Sequence, residues 1–129
     1  MQKFAFALFA IVLGCAPASA QEAPAGIKRT PLQAADFPDG YRTVTGLAEI
    51  VPGGASGPHT HPGIETGYVL EGEVLMQVDG QPDRTLKPGD SYMIPAGTKH
   101  DVKSVGSVAA KAFSVFVVDK TAPLASPAK

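Results

Sequence analysis

Between Tyr41 and Val118 the chain is a succession of short apolar segments, each closed by glycine, proline or an Asp-Gly pair. The segments cover residues 41–51, 57–61, 65–70, 73–78, 84–86, 91–94, 100–104 and 108–118. Val74, Met76 and Val78 fall on one side of the fourth segment and Leu75, Gln77 and Asp79 on the other. This is the period-two alternation of a half-buried strand. The last segment is more uniformly apolar, broken mainly by Lys111 and Ser114. The intervening turns are Pro52-Gly53-Gly54, Glu71-Gly72, Asp79-Gly80, Lys87-Pro88-Gly89-Asp90 and Pro95-Ala96-Gly97. Asp-Gly between two apolar runs is a hairpin signal, because glycine accepts the backbone angles of tight turns. Strands at this spacing, with no stretch of helical periodicity, predict an all-β sandwich or barrel over 41–119.

The termini read differently. Lys3 is followed by the apolar run 4–13 and by Ala18-Ser19-Ala20, the pattern of a signal peptide cleaved before Gln21. The run is too short for a membrane span, which needs about twenty apolar residues. Val12-Leu13-Gly14-Cys15 also resembles a lipobox, which would make Cys15 a lipid anchor, but Leu13 is bulky for that motif. Cleavage at the first site predicts a periplasmic or secreted protein. Without a twin-arginine pair it would be exported unfolded and take up any metal outside the cytoplasm. Residues 21–40 lack apolar periodicity and read as an extended arm that orders against a neighbour; residues 120–129 read as a loose tail.

The 109 residues after Ala20 amount to one domain with no cysteine, so its stability must come from its core and from any metal or partner. Ten basic and twelve acidic residues remain in that portion, a net charge of −2 with no basic stripe. Nucleic acid is thereby excluded as an expected partner.

The chain has three histidines, at positions 59, 61 and 100. Residues i and i+2 of a strand project from one face, so His59 and His61 can address one ion together. Glu65 follows at the same parity, with Gly63 able to bend the chain between them, and His100 after a Pro-x-Gly turn can complete the set. Three imidazoles and a carboxylate suit one divalent transition metal: Fe, Mn, Ni, Cu or Zn. Four protein ligands leave positions open for a substrate, and Glu65 can also serve as a general base.

The residues around these ligands read Gly53-x5-His59-x-His61-x3-Glu65-x6-Gly72 and Gly89-x5-Pro95-x-Gly97-x2-His100. In this order, and separated by only the sixteen residues 73–88, they resemble the two motifs of small bacterial cupins. Ser104 stands where the second motif usually ends in Asn. The resemblance implies a small antiparallel double-sheet β-barrel of jelly-roll type, with the four ligands near one mouth. It also implies a homodimer, with the N-terminal arm crossing to its partner. Apolar Val69, Met76, Met93 and Phe113 are expected to line the cavity, and Tyr68 or Tyr92 to touch a substrate. Tyr68, however, has the parity opposite to Glu65 and should face away. Two functions fit: a mononuclear metal-dependent oxygenase, lyase or isomerase acting on a small molecule, or a non-catalytic exported cupin that binds a small ligand or metal. A metal-sensing regulator is disfavoured, because such modules are usually fused to a second domain.

Overall fold

The computed structural model describes residues 26–129; the expected signal peptide, its cleavage point and Cys15 lie outside the described residues. The described chain is all β, and no helix in it is long and apolar enough to cross a membrane. The strands are β1 (Ile27–Ala35), β2 (Tyr41–Ile50), β3 (His59–Thr60), β4 (Gly63–Glu71), β5 (Val74–Val78), β6 (Arg84–Leu86), β7 (Ser91–Ile94), β8 (His100–Ser104), β9 (Ala110–Asp119) and β10 (Ser126–Pro127). They form two five-stranded sheets, β1-β2-β9-β4-β7 and β10-β3-β8-β5-β6. Every pairing is antiparallel. This is the double-sheet barrel expected from the turn spacing and the motifs.

The alternation in the sequence is what closes the barrel. Along β4, Gly63, Glu65, Gly67 and Val69 are buried while Thr66, Tyr68 and Leu70 are exposed. Along β5, Val74, Met76 and Val78 face inward. Between the sheets these meet Leu86, Tyr92, Ile94 and Ala110 in one apolar cluster. Val69, Val74, Leu86 and Ile94 are its largest fully buried side chains. Each contributes about 1.5–3 kcal/mol relative to leaving it in water. After β5 the chain turns at Asp79-Gly80, with the Gln81 amide donating to the Val78 carbonyl at 3.0 Å.

Both termini are more structured than their composition suggests. Residues 27–35, expected as an arm, form β1 and pair with β2 of the same chain. Most of this edge strand is exposed on both faces, so no apolar alternation marks it. Pro31 sits at a register shift in the pairing, where its missing N–H costs no ladder bond. In the C-terminal tail, Ser126 and Pro127 pair with Thr60 and His59. A two-residue bridge leaves no periodic signature.

Candidate metal centre

The two sheets together supply the four candidate ligands. His59 lies on β3, His61 just beyond it, and His100 opens β8, paired directly with His59. The chain then crosses to the other sheet at Pro62-Gly63, and Glu65 on β4 faces the histidines across the barrel interior. Gly63 is required at that crossing, because a Cβ there would meet the Val117 carbonyl oxygen at 2.0 Å. The Gly97 amide donates to the His61 carbonyl at 2.9 Å, tying the turn before His100 to the first motif.

Each imidazole is fixed through Nδ1. The partners are the carbonyl of Gly57 for His59 (2.7 Å), of Leu124 for His61 (2.6 Å) and of Thr98 for His100 (2.9 Å). A carbonyl oxygen only accepts, so each Nδ1 carries a proton, and in the neutral ring each Nε2 presents a lone pair. The Nε2 atoms of His61 and His100 stand 3.1 and 3.3 Å from Glu65 Oε2. Both are buried without a hydrogen-bond partner. Lone pairs converging on a carboxylate oxygen call for a cation or a proton between them. One ligand atom from each of His59, His61, Glu65 and His100 lies within 4.8 Å of all the others, so the group can hold one metal ion. The donor set itself, imidazole nitrogen with one carboxylate, fits a first-row transition metal.

The other carboxylate oxygen is held separately. Ser114 Oγ donates to Glu65 Oε1 at 2.9 Å, and the Tyr92 hydroxyl lies 2.8 Å from Ser114 Oγ and 3.4 Å from Oε1. Burial opposes the charge on Glu65, but the contacts from His100, His61 and Ser114 outweigh it and hold the carboxyl well below the ordinary carboxylate range. Burial pushes His59 down to about 4 despite its bond to Gly57. Burial also works against a charged His100, but Glu65 and the Thr98 carbonyl prevail and raise it above the ordinary value. The Tyr92 phenol is raised by burial and by the Glu65 charge, so it stays protonated and can donate.

A cavity of about 160 Å³ opens on this cluster. Its walls are largely apolar, with Ile27, Ile50, Val102, Phe116 and Leu124 among them, and Arg29 is the lining residue that carries a permanent cation. The Arg29 guanidinium reaches the Ser56 carbonyl at 3.5 Å. The residues expected to line the cavity from sequence lie elsewhere. Val69 and Met76 belong to the closed apolar core. Val69 shares the inward face of β4 with Glu65, but four residues of strand separate them by roughly 13 Å. Met93 is 62% exposed, and Phe113 pairs with Tyr68 on the outward side of the sheet. Tyr68 points outward, as its parity requires. Tyr92 faces the cavity beside Glu65. The contribution of Ser114 was not foreseen; its signal was a polar residue at inward parity in the apolar run of β9.

A family model described as Cupin domain matches residues 46–116. The chain is 33% identical over 113 residues to a germin-like protein, subfamily T member 3, of Arabidopsis thaliana, covering 81% of this chain and 49% of that protein. It is likewise 33% identical over 98 residues to oxalate oxidase 2 of Hordeum vulgare, covering 67% of this chain and 43% of that one. The chain thus spans under half the length of these relatives. Among solved structures, an oxalate oxidase in complex with the substrate analogue glycolate superposes with a TM-score of 0.66 at 28% identity, covering 80% of this chain and 55% of that one. A conserved protein with a double-stranded β-helix domain from Klebsiella pneumoniae gives 0.69 at 19% identity over 84% of this chain and 90% of that one, a likeness of fold alone.

Proposed function

The chain belongs to the cupin family, and from that premise we propose that it is a mononuclear metal-dependent enzyme acting on a small molecule. His59, His61, Glu65 and His100 would hold one divalent transition metal ion. The observation that carries this reading is the set of three Nδ1–H bonds to carbonyls. They leave the Nε2 atoms free, and those of His61 and His100, buried and without partners, converge on Glu65. A bound metal of this kind supplies Lewis acidity and, where redox-active, one-electron chemistry. The chain's own residues do the rest. The apolar walls exclude water and receive the body of the ligand, while Arg29 offers a charge to an anionic end. Glu65, held as a carboxylate, serves as a ligand and not as the expected general base.

The similarity to oxalate oxidases supports an oxygen-dependent reaction on a small acid; a lyase or isomerase reaction would use the same groups. The test is elemental mass spectrometry of the purified protein. About one equivalent of Fe, Mn, Ni, Cu or Zn is expected, lost in both His61→Ala and His100→Ala. Full retention of metal in both variants would sink the assignment. Oxygen uptake together with substrate loss, measured with small carboxylic acids, catechols and β-diketones, then separates an oxygen-dependent enzyme, a lyase or isomerase and a binding protein.

A further inference from the structure

The inner face of the first sheet carries a layer of residues that neither motif specifies. The register aligns Gly46 on β2 with Ser114 on β9, Ser114 with Gly67 on β4, and Gly67 with Tyr92 on β7. The neighbouring layer, two residues along, is Val44, Phe116, Glu65 and Ile94. Tyr92 crosses β4 to reach Ser114, and it can do so only because position 67 has no side chain. A Cβ on Gly67 would stand 2.2 Å from Tyr92 Cζ and 2.3 Å from its hydroxyl oxygen. The phenol therefore rests on bare backbone, with its oxygen 2.8 Å from Ser114 Oγ. Ser114 spends its single proton on Glu65 Oε1 at 2.9 Å, so the short contact with Tyr92 is the phenol donating to Ser114.

We infer that Tyr92 and Ser114, seated on Gly67, are positioning residues that clamp Glu65 by Oε1 and so fix Oε2 as the oxygen offered to the metal. The inference rests on the metal-binding reading above. Its physical content is division of labour within one carboxylate. Oε1 takes up the hydroxyl chain and Oε2 faces His61 and His100. Without the clamp the carboxylate can rotate about its terminal torsion, which is soft. Ion binding would then have to order it. Hydrogen-bonded supports of this kind are typically worth about 10–100-fold in metal affinity.

The test measures Co(II) affinity by competition with a chromogenic chelator, together with the visible spectrum of the Co(II) protein, in four variants. Ser114→Ala should weaken Co(II) about 10–100-fold and shift the spectrum. Tyr92→Phe, which leaves the direct Ser114 bond, should weaken it about threefold to tenfold. Ser114→Thr keeps the hydroxyl, and its cross-strand partner Gly46 has no side chain to meet the added methyl group; it should keep wild-type affinity and spectrum. Gly67→Ala, which unseats the phenol, should behave as Tyr92→Phe. Wild-type affinity and spectrum in both Ser114→Ala and Tyr92→Phe would overturn the clamp, as would a loss in Ser114→Ala that Ser114→Thr fails to recover. Failure of the wild-type protein itself to bind Co(II) would instead overturn the metal-binding reading.

Discussion

A stop codon after Ala122 removes residues 123–129, which carry no candidate ligand. It should nevertheless weaken the metal centre. The deletion takes away the Leu124 carbonyl that accepts from His61 Nδ1 at 2.6 Å, and the β10 residues that pair with β3. His61 is only 6% exposed, so its Nδ1–H loses a partner in a place poorly served by water. Leaving such a donor unsatisfied costs about 1–3 kcal/mol. Part of that is recovered where removal of Leu124, itself a wall of the cavity, lets water in. The imidazole also loses the bond that selects its tautomer, so some fraction presents Nε2–H to the ion. At 1.4 kcal/mol per decade, an increase in metal Kd of about 5- to 100-fold is expected. Competition with a chromogenic chelator, using Zn(II) or Co(II), reads it directly. Loss of the β10 pairing with β3 should separately lower the Tm of the metal-free protein, by about 4–8 °C per kcal/mol. A truncated protein with wild-type metal Kd would refute the view that the tail supports His61.

Four further outcomes follow from the structure. Arg29→Met, which keeps the aliphatic bulk and removes the cation, should raise the Kd or KM of a carboxylate ligand about tenfold and leave its methyl ester unchanged; equal effects on both would refute an anion-binding role. In the metal-free protein His59 titrates near 4 when folded but near its ordinary 6.5 when unfolded, so the unfolded chain takes up the proton first. The His59 contribution to stability should therefore be lost as pH drops from about 6.5 to about 4, and His59→Gln should make a Tm-against-pH series shallower over that interval. Expressed with residues 1–20 in place, the protein should be recovered with the intact mass of a chain beginning at Gln21, whereas a lipid adduct on Cys15 would show processing at the alternative site and an uncleaved chain would overturn the signal-peptide reading. Sedimentation at micromolar concentration should give a dimer, since Tyr68, Leu70 and Met93 are exposed on the outer face of the first sheet; a monomeric mass would overturn that expectation.

Strands β4, β5 and β7 were legible because inward and outward positions alternate along them, and β2, β6, β8 and β9 because glycine and proline turns bound them. β1 and β10 were not, because nearly all their side chains are exposed and no apolar alternation marks them. The ligand set was legible from spacing, although Glu65 meets the histidines across the barrel and not along one strand. What spacing along a single chain cannot carry is register between strands. Ser114 and Tyr92 reach Glu65 through β9 and β7, and Val69 and Met76 fall into the closed core for the same reason. A partial clue stood in the inward series Gly63, Glu65, Gly67, Val69 of β4: a glycine beside a ligand leaves a space that some other side chain must fill.

The candidate ligands straddle the seam of the barrel, three imidazoles from one sheet's strands and their connection and the carboxylate from the other. An ion held by all four is a tie between the sheets, made only once the barrel has closed. It loads the folded chain alone, so its binding energy adds to stability by mass action, about 4 kcal/mol at a thousandfold excess over Kd. No cysteine follows position 15. In a chain with no sulfur to cross-link, the metal would take over the work of a disulfide, with the difference that a chelator could undo it and the surroundings restore it.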